Sequence, residues 1–309
     1  MGSQIGVGAP PGIDPALDPS LERIERDATL WGDVWRKLRR DPRFLLAAFL
    51  IALFVAMGVI PWIFTGADPN NCDILRSALK PSSHHWFGTD LLGCDYYSRV
   101  IYGARTSLIV GLLTAGSTVA IALVLGSIAG YYGGVSDGII SRIADVWFSI
   151  PTILGAILLL TLLHGGGPVT VSAVLILFGW PDLMRLLRST VIAGKERGYV
   201  RAARGLGASD FHILSRHVLP NGIAPLIVYG AYGVGAAIAG EAGLTFLGVG
   251  LRLPTISWGL QISIAQDQFF NHPYLLFFPS LFLCVLVGAF VLLGETLRDA
   301  LDPRVFGRG

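Results

Sequence analysis

Six long apolar segments constrain this chain more than any other feature: 44–64, 106–131, 139–163, 169–187, 223–247 and 274–293. Each is close to the roughly 20 apolar residues that a helix needs to cross a bilayer. In hydrocarbon the backbone must satisfy its own hydrogen bonds, so only helices and closed barrels span. The segments lack the short alternating strands of an outer-membrane barrel. The expected fold is therefore all-α, a polytopic membrane protein with six transmembrane helices. The 14% of charged residues fits, since soluble domains carry about 25%. Glycine and proline inside several segments are tolerated in membrane helices.

Lysine and arginine set the orientation. Arg23, Arg26, Arg36, Lys37, Arg39, Arg40 and Arg43 precede the first span, and Arg298, Arg304 and Arg308 follow or close the last. Arg188, Lys195, Arg197, Arg201, Arg204 and Arg216 crowd the segment after the fourth span, 189–220. The segment after the fifth span, 248–273, has only Arg252. In segment 65–105, Arg76, Lys80 and Arg99 are offset by Asp68, Asp73, Asp90 and Asp95. Both termini and 189–220 are thus expected inside, with 65–105 and 248–273 outside. The net charge of +2 gives no reason to expect nucleic acid; the basic residues face anionic membrane lipid. Residues 1–20, rich in Gly, Pro and Ala, read as a disordered tail. Residues 21–43 read either as an interfacial amphipathic helix, with Trp31 and Trp35 beside Lys37, Arg39 and Arg40, or as a loosely helical lead-in. Residues 44–298 form the six-span domain and 299–309 a cytoplasmic tail. The polar first forty residues and the length of 44–64 argue for a retained anchor rather than a cleaved signal.

Segment 199–220 stands out because it is polar, basic and helical in pattern between apolar spans. A first short helix runs to about Leu206, stopped by Gly205 and Gly207. A second opens with Ser209 as N-cap and Asp210 in its first turn, where the helix dipole favours negative charge. Ala202, Ala203 and Leu206, then Ile213 and Leu214, give each helix a small apolar face. This segment resembles the EAA motif of ABC-importer permeases: Glu-Ala-Ala, three residues, Gly, nine residues, then a hydrophobic residue, any residue and Leu-Pro. Ala202, Ala203, Gly207, Leu219 and Pro220 occupy matching positions. Arg201 stands where the family usually has Glu, and His217 where it usually has an aliphatic residue. The resemblance implies that Arg201, Ala202, Ala203, Leu206, Gly207, Ala208, Ser209, Asp210, Leu219 and Pro220 form a coupling loop docked on a cytoplasmic ATPase. Arg201 removes any contact that needs a carboxylate there.

The resemblance covers about 36–304. Residues 85–111 are similar to the opening block of the oligopeptide/dipeptide permease branch, through Phe87-Gly88-Thr89-Asp90, Gly93, Asp95, Ser98-Arg99 and Tyr102-Gly103-Ala104-Arg105. Tyr132-Gly133-Gly134, Asp137, Arg142, residues 241–248, Ser257-Trp258-Gly259 and residues 297–304 match further blocks. The long segment before the second span favours the second, C-type, permease subunit. The resemblance implies a type I ABC importer fold in a bacterial cytoplasmic membrane. It implies import of di- or oligopeptides, with nickel, glutathione, δ-aminolevulinate or haem-related cargo on the same scaffold. The implied partners are a second homologous permease, P-loop ATPase subunits that hold ATP and Mg, and an extracytoplasmic substrate-binding protein. No cofactor or metal is expected on this chain. It carries no phosphate-binding loop of its own, since Gly194-Lys195 runs into Glu196 without the upstream glycine.

Other residues leave alternatives open. Cys72 and Cys94 share the expected outer segment and are expected to form a disulfide; Cys284 is expected to be a buried small apolar residue. Ala231, Gly235, Ala239 and Gly243 recur every fourth residue and are expected to form a helix-packing face, within the chain or toward a partner permease. Asp145 with Arg142, and Glu295 with Arg298, have the spacing of local helical pairs. Glu241, with no obvious local partner, either bonds across helices or lines an outer vestibule. Asp90, Asp95, Arg99 and Arg105 either pin segment 65–105 or help to receive a binding protein. His212 and His217, five apart, suit one helical face poorly. Two rival classes remain: an ion-coupled secondary transporter or channel, which would need repeated broken helices, and a membrane enzyme, for which no catalytic constellation is present.

Overall fold

The computed structural model describes residues 30–163 and 166–301, and among them it is helical without a named strand. The expected tail 1–20, the first part of 21–43 and the end of 299–309 lie outside the described residues. The helices are α1 Leu30–Leu38, α2 Pro42–Val59, α3 Tyr96–Tyr132, α4 Gly134–Phe148, α5 Thr152–Leu162, α6 Pro168–Lys195, α7 Gly198–Gly205, α8 Asp210–Ile213, α9 Leu219–Gly222, α10 Ala224–Phe246, α11 Trp258–Ala265 and α12 Tyr274–Leu301. Five of them, α2, α3, α6, α10 and α12, are long and apolar enough to cross a membrane. The bent pair α4 and α5 makes a sixth crossing if taken as one span.

Local chemistry sets the boundaries. Asp41 caps α2 by accepting from the Arg43 backbone N–H, with Pro42 in the first turn. There the missing proline N–H costs nothing, because that donor would be unsatisfied anyway. Asp95 caps α3, accepting from the Ser98 backbone N–H at 2.9 Å. That helix runs 37 residues, or about 55 Å at 1.5 Å per residue. It begins ten residues before the expected second span, because Tyr96–Arg105 continues the helix although its residues are too polar to read as membrane. The expected third span, 139–163, is not one straight helix. It breaks before Pro151 and bends by 84°, where proline offers no N–H and restricts the residue before it. Segment 248–273 is not simply a loop either. Its helix α11 carries the fully buried Trp258 and the buried Gln261.

The long α3 lies at the centre. It packs on α6, α10 and α2. Gly126 and Gly130 of α3 set the tightest backbone approach to α6: an added Cβ would lie 2.9 Å from the Met184 carbonyl oxygen or 2.8 Å from that of Arg188. Such a small-residue pair four apart lets membrane helices close on each other's backbones. One cluster joins Phe54, Tyr96, Ile101, Ile238, Trp258 and Phe290 across α2, α3, α10, α11 and α12. A second joins Ala122, Met184, Val191, Val200, Ile213 and Val218 at the other end of the bundle. Leu45, Leu46, Phe49, Leu154 and Leu158 are exposed, as expected where lipid is the solvent. Val34 and Leu38 of α1 pack on Ala300 of α12. This places the start of α2, the C-terminal ends of α3 and α12, and segment 198–222 at one end of the bundle.

Candidate functional site

Helices α7 and α8 form a helical hairpin at that end. Helix α7 stops in a Schellman arrangement: the Ala208 N–H donates to the Ala203 carbonyl at 3.1 Å and the Gly207 N–H to that of Arg204 at 3.0 Å. The motif needs a left-handed residue past the helix end, and Gly207 supplies it with φ +85°. Ser209 caps α8 by accepting from the His212 N–H. The second helix does not stop at Arg216 and His217 as the sequence suggests. It passes through a π-turn, Leu214–Val218, into α9, so Pro220 lies in the first turn of α9 rather than opening a separate segment. The π-turn also corrects the reading of the histidines: the rings of His212 and His217 lie 5.7 Å apart, because the wider i→i+5 winding brings residues five apart toward one face.

One face of the hairpin is anchored and the other is bare. Val200, Ile213 and Val218 are buried against Met184, Leu187 and Val191 of α6. Ala203, Ala208 and Leu219 pack on the edge of this cluster. Leu206 does not join the packed face; it is 90% exposed, and Phe211 is 75% exposed. Arg201, Ala202, Gly207, Ser209, Asp210 and Pro220 are exposed beside them. Two large apolar side chains are thus held out on a capped hairpin, and an apolar group left in water forgoes about 1.5–3 kcal/mol of burial free energy.

One polar contact runs from the hairpin to α3, and others join the ends of α3, α4 and α6 beside it. The Tyr131 hydroxyl at the end of α3 donates to Asp210 Oδ1 at 2.8 Å. Lys195 Nζ donates to the carbonyls of Gly130 at 3.0 Å and Tyr131 at 3.4 Å. Arg188 grips Asp137 with Nε at 2.5 Å and Nη2 at 2.6 Å. The Arg204 guanidinium is held above its ordinary pKa, first by the Tyr131 hydroxyl beside it and further by Asp210. Sequence reasoning missed Tyr131, Lys195 and the Arg188–Asp137 pair as parts of this site. The sole signal was Gly133 ending α3 next to a Tyr-Tyr pair.

At the opposite end Cys72 and Cys94 are joined in a disulfide, with Cα atoms 4.0 Å apart. Arg99 is 8% exposed. It donates to Asp90 Oδ2 at 2.8 Å and to Cys94 Sγ at 3.1 Å. Asp95 also bonds His85 Nδ1 at 2.9 Å. Trp258 Nε1 donates to the Val100 carbonyl at 2.8 Å, and Gln261 Nε2 to that of Arg99 at 2.7 Å. Glu241 is fully buried. Contrary to expectation it has a local partner, accepting from Thr245 Oγ1 at 2.9 Å and from Ser257 Oγ at 3.3 Å. It therefore ties α10 to the start of α11 and lines no vestibule.

The small-residue series on α10 divides. Gly235 faces α12, where an added Cβ would meet Phe290 Cβ and the Val287 carbonyl at 3.4 Å. Ala231 is half-buried, whereas Ala239 and Gly243 are exposed. Asp145 pairs with Arg142 at 3.7 Å but more closely with Arg185 at 2.6 Å. Glu295 and Arg298 form no ion pair among the described residues. Cys284 is exposed rather than buried, because its face of α12 packs on no other described helix.

Comparison with known proteins adds an independent line. Residues 122–307 match the family model described as binding-protein-dependent transport system inner membrane component. Residues 29–81 match the N-terminal TM domain of oligopeptide transport permease C. The chain is 34% identical over 285 residues to the oligopeptide transport system permease protein OppC of Bacillus subtilis (strain 168), covering 92% of this chain and 93% of that one. It is 37% identical over 278 residues to the glutathione transport system permease protein GsiD of Pectobacterium atrosepticum, covering 90% and 92%. It is 36% identical over 274 residues to the dipeptide transport system permease protein DppC of Bacillus subtilis (strain 168), covering 88% and 85%.

Proposed function

The chain belongs to the binding-protein-dependent transport system inner membrane components, a permease subunit of an ABC importer, and from that premise we propose that it imports short peptides and couples to its ATPases through the hairpin 198–222. The observation that carries the coupling role is the pair Leu206 and Phe211, 90% and 75% exposed on a hairpin whose other face is anchored. The hairpin then lies on the cytoplasmic side with both termini, in agreement with the clustering of Arg and Lys there. ATP and Mg are held by the partner ATPases, and this chain hydrolyses nothing itself. A second permease completes the pathway, and an extracytoplasmic binding protein delivers cargo to the end that carries the Cys72–Cys94 disulfide.

The cargo reading rests on relatives named for oligopeptides, dipeptides and glutathione, all of them short chains of amide-linked amino acids with free amino and carboxyl groups. Gentle purification of the chain from its native membrane tests the coupling role. A second permease and ATPase subunits are expected to accompany the wild type. Leu206→Asp is expected to lose the ATPase while keeping the second permease, since a central apolar anchor typically contributes 2 kcal/mol or more to an interface. Retention of the ATPase by the Leu206→Asp chain would count against this surface.

A further inference from the structure

Resting on the coupling role just proposed, we infer that Tyr131 is a positioning residue: its hydroxyl fixes the angle of the hairpin on the bundle, so that α3 carries motion between the hairpin and the far end. The hairpin adjoins α6 and α10 in sequence, yet its polar tie runs to α3. The Tyr131 ring is 7% exposed within the cluster that also holds Val200 and Ile213. Its hydroxyl alone reaches out of that cluster, 2.8 Å from Asp210 in the first turn of α8. Arg204, in the last turn of α7, lies beside the same hydroxyl. The phenol thus bonds the second arm of the hairpin just past the Gly207 turn, with the Arg204 side chain of the first arm nearby.

The other end of α3 is fixed as firmly. There Asp90 holds Arg99, and the backbone carbonyls of Arg99 and Val100 receive Gln261 and Trp258 of α11. Between these ends α3 is one unbroken helix of 37 residues with its backbone close against α6 at Gly126 and Gly130. A rigid element fixed to a separate structure at each end moves both together, whereas the neighbouring path through α4 and α5 is bent by 84°. The hydroxyl supplies direction rather than adhesion, because the apolar anchors Val200, Ile213 and Val218 hold the hairpin without it.

The test uses the complete purified importer, with both permeases and its ATPases, in liposomes. ATP hydrolysis is measured without and with the binding protein for Tyr131→Phe, Asp210→Ala, the double variant and Leu206→Asp. Phenylalanine fills the same space, so Tyr131→Phe is expected to keep the ATPases bound and basal hydrolysis intact. Stimulation by the binding protein is expected to fall about tenfold, the scale of one hydrogen bond to a charged group. Asp210→Ala is expected to lower stimulation likewise, and the double variant to fall no further than the weaker single, as partners in one contact behave. Wild-type stimulation in Tyr131→Phe, an additive double, or basal and stimulated rates falling in the same proportion would each overturn the inference. If Leu206→Asp releases the ATPase and Tyr131→Phe is silent, only the positioning role fails. If Leu206→Asp leaves the ATPase bound, the coupling surface fails and this inference with it.

Discussion

Gly207 shows how one residue shapes the hairpin. Its φ of +85° lies where a Cβ clashes with the backbone, while nothing lies within 4 Å of an added Cβ. The glycine is therefore required by conformation and not by crowding. Gly207→Ala is expected to cost about 1–2 kcal/mol locally. It should quicken trypsin cleavage after Arg204 in the purified complex and leave the bundle's thermal midpoint nearly unchanged; an unchanged cleavage rate would remove the conformational argument. The cysteines make a second prediction. Cys94 is fully buried and bonded to Cys72, whereas Cys284 faces outward. A water-soluble maleimide should label Cys72 and Cys94 only after reduction and unfolding. Labelling of Cys72 before reduction would contradict the pairing. The residues of the EAA-like stretch were legible because turn glycines and N-caps act locally. Tyr131 was not, since its partner Asp210 lies 79 residues away and spacing carries no such information.

Among the elements, the spans could be read directly, because lipid demands long apolar runs and nothing local competes. Their interruptions could not. Residues 139–163 stay apolar through the 84° bend, so composition concealed the break that Pro151 makes. Helix α11 is too short to show a periodic pattern, and its burial follows from Trp258 filling the space opposite Gly103. Small-residue spacing drew attention to α10, but the close backbone contact between α3 and α6 belongs to Gly126 and Gly130 of α3; a spacing names a face without naming what lies against it. The two series make opposite predictions. Gly130→Val sets a Cβ 2.8 Å from the Arg188 carbonyl oxygen and is expected to cost about 1–3 kcal/mol as overpacking. Gly243→Ala meets nothing within 4 Å in this chain. Thermal unfolding of the isolated chain in detergent should fall for the first and hold for the second. Equal midpoints would show that α3 and α6 are not so closely joined.

For the whole molecule, the hairpin and the disulfide-bonded segment lie at opposite ends of one bundle, with α3 between them. That arrangement serves a device that receives cargo at one end and chemical energy at the other. It does not suit an ion-coupled carrier, whose paired broken helices would meet near mid-membrane; among the described residues one bent pair, α4 and α5, is present. ATP-driven import through this chain can be followed after reconstitution of the purified complex into proteoliposomes. Entry of a radiolabelled tripeptide would be followed with ATP on the ATPase side, with the binding protein on the other side, and separately with an imposed proton or sodium gradient. Uptake is expected to need both ATP and the binding protein and to ignore the gradients. Uptake driven by a gradient without ATP would contradict ATP-driven import.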